Sequence, residues 1–199
     1  VNQRIADILQ RIQSLENELE TELQSSRVLR GFSIKGKRVE FDRGTRKEHR
    51  TWRVGLLPFL RGTTFTSLLT APLIYSMIVP LTLLDACLNV YQQIYFRALR
   101  IARVPRSDYI IFDRQHLAYL NGLEAFNCLY CGYANGVIAY AREIAARTEQ
   151  YWCPIKHALR IRDPHNRYQQ FLQYGDAEGY RSKLADYRKQ LQEPPTTTS

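Results

Sequence analysis

Near the N-terminus Ile5, Ile8, Ile12, Leu15 and Leu19 recur at alternating gaps of three and four, with Glu16, Glu18, Glu20 and Glu22 on the intervening positions. This is the seam of a short coiled coil, marginal alone, which needs a second copy or the body of the protein against it. From Arg30 the period shortens to two: Phe32, Ile34, Val39 and Phe41 alternate with polar residues around Lys35-Gly36-Lys37, predicting a two-stranded ribbon. Then polarity disappears. Thr64 to Leu84, TFTSLLTAPLIYSMIVPLTLL, contains no Asp, Glu, Lys, Arg or His, and a helix over it is ~31 Å long, the hydrocarbon thickness of a bilayer.

Pro72 and Pro80 interrupt that run, and each removes a helical N–H and crowds the preceding turn. Basic residues crowd both flanks, whereas a plain crossing places its excess positive charge on one side. The expectation is therefore a re-entrant hairpin with arms Leu56–Ala71 and Leu81–Phe96 and APLIYSMIVP as its tip. A single kinked span is the rival. Asp85 tells between them: deep in a hairpin it needs a proton or a partner, but in a span it lies near the interface. Arg50, Trp52, Arg53 and Arg61 before the run, and Arg97 and Arg100 after it, read as interfacial anchors whose cationic heads reach phosphates.

Beyond Pro105, Tyr109 to Phe112 is a short apolar stretch, a strand or a buried turn. Asp113 to His157 then shows two helical patterns separated by Gly132-Tyr133-Ala134-Asn135-Gly136, which predicts a helical hairpin. Asp163-Pro164 introduces a helix from about His165, and Glu178 to Gln192 resumes helically before a tail, 194–199, whose composition predicts disorder. The fold class is mainly α: a membrane-embedded or monotopic helical protein with a Pro-kinked apolar hairpin, a cytoplasmic helical hairpin and one small β-hairpin. Its segments are 1–29 (coiled-coil-like helix), 30–55 (ribbon and basic membrane-proximal stretch), 56–104 (membrane-embedded), 105–193 (helical domain) and the tail.

Charge strengthens the membrane reading. A formal charge of +9 and a pI near 9.5 point to an anionic surface, and with a greasy run present the cytoplasmic leaflet is a better partner than nucleic acid. Cys87, Cys128, Cys131 and Cys153 are too scattered for a disulfide framework and follow no cleavable signal pattern, as suits a reducing cytoplasm.

Candidate chemistry gathers between Asp113 and His157. Cys128, Cys131, Cys153 and His157 are zinc-ligand types at plausible local spacings, but a helix over Val137–Trp152 is ~24 Å long and keeps Cys131 from Cys153. In a helical hairpin Asp113 and His116 instead come level with Glu149, Cys153 and His157, a donor set suited to zinc or iron. The chain has no phosphate-cradling Gly loop, nucleophile elbow, HExxH motif or dinucleotide fingerprint. The leading expectation is an accessory or assembly subunit of a bacterial-type membrane complex, associating with other membrane-protein subunits or with itself through residues 5–23. A metal-dependent membrane enzyme acting on a lipid-soluble substrate is the first alternative, and a basic RNA-binding protein the second.

Overall fold

The computed structural model describes residues 3–29, 31–35 and 38–192; the predicted tail and the tip of the ribbon lie outside them. The chain is mainly helical, with α1 (Gln3–Leu29), α2 (Arg43–Thr51), α3 (Leu56–Gly62), α4 (Phe65–Ser76), α5 (Ile78–Tyr91), α6 (Gly122–Trp152) and α7 (Ala177–Gln192). One antiparallel pair, β1 (Phe32–Lys35) and β2 (Arg38–Phe41), accompanies them. Contacts divide the chain into two compact units: Val1–Gly62 with Asp113–Phe126, and Thr63–Phe112 with Asn127–Ser199.

In the first unit the two strands of the ribbon pair with Phe32 facing Phe41 and Ile34 facing Val39. Ring contacts run from Phe32 to Phe41, then to His49 of α2, then to Tyr119, at centroid distances of 5.5, 5.3 and 5.4 Å. Asp42 caps α2 by accepting from the Thr45 N–H at 3.0 Å and from the Thr45 hydroxyl, and these bonds hold its carboxyl below the usual range. On α1, Ile8, Ile12, Leu15, Leu19 and Leu23 all remain exposed.

The second unit corrects two predicted turns. The apolar run does not double back. At Met77, between α4 and α5, the backbone stays right-handed helical (φ −63, ψ −13), and Met77 N–H and Leu81 N–H continue the bonding to Ile74 O and Met77 O. The helical path then runs through a π-helical turn, Gln92–Phe96, for 32 residues in all. The prolines fail to reverse the chain because Pro80 occupies the first turn of α5, where an N–H has no intrahelical partner anyway, and Pro72 alone interrupts α4. Arg100 ends this path in the left-handed region (φ 57), with Ile101 N–H returning to Phe96 O at 2.8 Å, the position glycine usually fills.

Nor is there a helical hairpin at Gly132–Gly136, since α6 is a single helix of 31 residues. Both glycines are buried, and a Cβ on Gly136 would stand 2.7 Å from Tyr109 O and 2.9 Å from Ile110 Cα. Glycine here admits a crossing backbone rather than breaking the helix. Each glycine costs about 1 kcal/mol of helix propensity, which the packing of Leu81, Ile110 and Val137 around the crossing offsets.

Alongside α6 lies the apolar helix, and the pairing is parallel. Tyr75 bonds Asn127, Tyr130 bonds Ile74 O at 2.7 Å, Tyr133 meets Asp85 at 3.0 Å, Tyr91 meets Thr148 at 3.0 Å and Trp152 bonds Tyr95. Their far ends share a core of Phe96, Ile101, Val104, Tyr140, Ile144 and Leu191. The helix expected from His165 is only a single turn, Tyr168–Gln170, because Leu172 pairs instead with Ile155 in a parallel bridge (Leu172 N–H to Pro154 O, 2.9 Å; Lys156 N–H to Leu172 O, 2.7 Å). Gly136→Ala is expected to destabilise the protein by about 1–3 kcal/mol, since backbone atoms cannot retreat from the new methyl. Gly122→Ala, whose Cβ meets nothing within 4 Å, serves as the neutral comparison in thermal unfolding followed by circular dichroism in detergent.

Candidate functional site

Phe65–Phe96 is long and apolar enough to cross a membrane, a property that a soluble core helix can share. Only 6% of its most apolar stretch is buried. The distribution of polarity around the helix is more informative than its average. Facing the protein, at spacings of three and four, are Tyr75, Ile78, Leu81, Asp85, Asn89, Gln92 and Phe96. Facing outward are Leu68, Leu69, Leu73, Met77, Val79, Leu83, Val90 and Ile94, with Leu73 73% and Leu83 65% exposed. The helix is inside out relative to a soluble amphipathic helix, whose apolar stripe faces the core.

Its inner face carries a continuous polar network. Arg106 Nε donates to both Asp85 oxygens (3.0 and 3.1 Å) and Nη2 to Oδ2 (2.6 Å), while Tyr133 Oη donates to Oδ2 (3.0 Å) and Asn89 Nδ2 to Oδ1 (3.0 Å). Asn89 Oδ1 then accepts from Tyr140 Oη at 3.3 Å, Gln92 donates to the same Tyr140 hydroxyl, and Gln92 Oε1 accepts from Val104 N–H at 2.7 Å. A one-turn-spaced set from the apolar helix thus ties down both α6 and the segment that follows Arg100. A second network closes the C-terminal region onto α6: Glu143 Oε1 accepts from Arg147 Nε (2.8 Å) and Arg167 Nη2 (2.9 Å), and Arg167 Nη1 donates to Gln150 Oε1 (3.0 Å).

Neither network contains the residues singled out for metal binding. Asp113 and His116 lie on a short 3-10 turn in the first unit, not at the start of α6, and Asp113 makes no capping bond. The cap of α6 is instead Asn121, which accepts from the Leu123 and Glu124 N–H groups at 3.0 Å while Glu124 accepts from Asn121 N–H at 2.9 Å. Glu149 meets His165 Nε2 at 3.0 Å; Cys153 follows one turn later, and His157 stacks on Tyr168. Because α6 is unbroken, Cys128 and Cys131 stand ~33 Å or more from Cys153, beyond the reach of one ion with ligand bonds of ~2.3 Å. Among the described residues no group of three or more His, Cys, Asp or Glu is placed to hold a metal ion. Desolvation, then the Glu149 carboxylate, raise the Cys153 thiol above its ordinary value, so it is protonated at neutral pH.

Beside Cys153 an apolar groove of about 490 Å³ opens between α5 and α6, walled by Leu88, Tyr91, Ile144 and Trp152. The membrane-interface candidates Arg50, Trp52, Arg53, Arg61, Arg97 and Arg100 are all exposed. No family model matches the chain, and neither a curated protein nor a solved structure is similar to it.

Asp85, expected to need a proton or a partner if it lay deep, is paired with Arg106, which the sequence did not single out for it. The available signal was the spacing Asp85, Asn89, Gln92, three polar residues on one face of an otherwise apolar helix. Arg106→Ala is expected to cost about 2–4 kcal/mol by leaving Asp85 without its cation, and Asp85→Leu combined with it should restore part of that loss. A double-mutant cycle of thermal unfolding measures the coupling; additive losses would mean the pair is not coupled. Iodoacetamide modification of Cys153, followed by mass spectrometry, should still be accelerating as pH passes 9.0, the ordinary thiol value.

Proposed function

We propose that this protein is a monotopic membrane-associated assembly subunit, held on the cytoplasmic leaflet by the outer face of Phe65–Phe96. The observation that carries this reading is the inverted polarity of that helix: apolar side chains point away from the protein, while Asp85, Asn89 and Gln92 point into it. Outward Leu, Val and Ile contribute burial only if something apolar covers them, at about 25 cal/mol per Å².

Lying along the interface suits the connection better than crossing the bilayer does. Since α6 runs parallel to the apolar helix, the chain must double back after Arg100, and residues 101–112 of that return pass across α6 at Gly136. They contain Arg103 and Arg106 and no α-helix. Irregular backbone with charges is not tolerated facing hydrocarbon, so the helix pair rests in one leaflet with its basic neighbours at the phosphates. The exposed seam of α1 supports self-association or docking to other membrane-protein subunits, the assembly part of the proposal.

Membrane fractions should retain the protein through high-salt washing and release it in detergent, because salt screens arginines but not apolar burial. Leu73→Arg with Leu83→Arg, on the outward face, should shift it to the soluble or aggregated fraction, each arginine opposing insertion by up to about 3 kcal/mol. Quantitative release of the wild type by salt would return the chain to a peripheral basic or RNA-binding reading. An impermeant external reagent should label cysteines placed at neither Trp52 nor Ser107; labelling of one of them would establish a span.

A further inference from the structure

The loop between α6 and the Tyr168 turn is built rather than slack. At one end Lys156 N–H bonds Leu172 O (2.7 Å), His157 N–H donates to Tyr168 Oη (2.7 Å), and the His157 ring stacks on Tyr168 with centroids 6.3 Å apart. At the other end Asp163 is held in the left-handed region (φ 49), a conformation strained for a residue other than glycine. Arg142 fastens it twice, through Nη1 to Oδ2 (3.0 Å) and Nη2 to the backbone O (2.6 Å).

Between these anchors the loop walls a concavity of about 980 Å³ that displays Lys156, Arg160 and Arg162. None of the three has an acidic partner among the described residues. The one carboxylate in the wall is Asp163, already taken by Arg142. Three like charges within seven residues repel one another, yet the loop is fixed at both ends in the arrangement that keeps them together. Neutral Gln169 and Gln173 complete the polar wall.

We propose that this concavity is a cradle for a phosphate group. Phosphate carries close to two negative charges as a monoester and has three terminal acceptor oxygens, enough for more than one guanidinium fork, whereas a carboxylate carries one charge and is matched by a single fork. The group has two sources, the headgroup of an anionic lipid or a soluble phosphoester. Leu159, 83% exposed beside Arg160, gives the lipid source a side chain to insert. The cradle does not depend on the membrane reading above, since a soluble ester uses the same donors.

The test is calorimetric titration of the full chain in detergent with glycerol 3-phosphate, together with binding to phosphatidylcholine vesicles with and without phosphatidic acid. Arg160→Ala combined with Arg162→Ala should weaken phosphate binding tenfold or more, because bonds to charged groups are the stronger class. Lys183→Ala with Lys189→Ala removes the same charge from exposed positions of α7 and should leave binding within about twofold, a loss that exposed rim charges typically cause. Arginine-dependent preference for phosphatidic acid assigns the lipid source, and arginine-dependent binding of the soluble ester alone assigns the other. Equal weakening by both variant pairs, or no phosphate-dependent binding in either arm, overturns the cradle. Failure to bind plain phosphatidylcholine vesicles bears separately on the membrane reading.

Discussion

Asp85 is the only Asp, Glu, Lys, Arg or His along Phe65–Phe96, and it is held by Arg106, Tyr133 and Asn89 at once. An unpaired carboxylate so placed would be costly, so the helix tolerates it only where both α6 and the segment after Arg100 are correctly docked. One charge therefore specifies three packing relationships. It fixes the rotation of the apolar helix, the level at which α6 lies beside it, and the path of the chain through Arg106.

That rotation explains why the apolar residues point outward. Once Asp85, Asn89 and Gln92 face inward to be satisfied, the helix periodicity leaves Leu73, Leu83, Val90 and Ile94 on the other side. Burying polar groups inside and leaving hydrocarbon outside reverses the usual economy of a water-soluble helix. It becomes favourable when the surroundings are apolar, and the proposed monotopic placement supplies such surroundings.

Parallel packing of two long helices requires a return connection, and here that connection crosses α6 at Gly136. The absent Cβ lets the Tyr109–Ile110 backbone approach within contact distance and sets Ile110 against Leu81 and Val137. Helix propensity at Gly136 is sacrificed for this contact. Gly132–Gly136 therefore reads as a turn in isolation and as a packing surface in context.

Much of the fold was legible in local pattern. The ribbon and the α1 helix rest on periodicity, which reports secondary structure directly because side-chain direction follows backbone geometry, and the apolar run rests on composition. What the pattern could not carry was direction in space. Whether prolines at 72 and 80 reverse a helix depends on where the helical turns begin, and whether the glycine at 136 breaks one depends on what crosses it. The candidate site shows the same division. Asp85's need for a partner follows from burying a charge among apolar residues, a consequence of composition alone. That the partner is Arg106, twenty-one positions later across a glycine-permitted crossing, and that Cys128 and Cys131 stand far from Cys153 along one unbroken helix, were decided by long-range packing, since helix length and docking fix distances that sequence spacing does not.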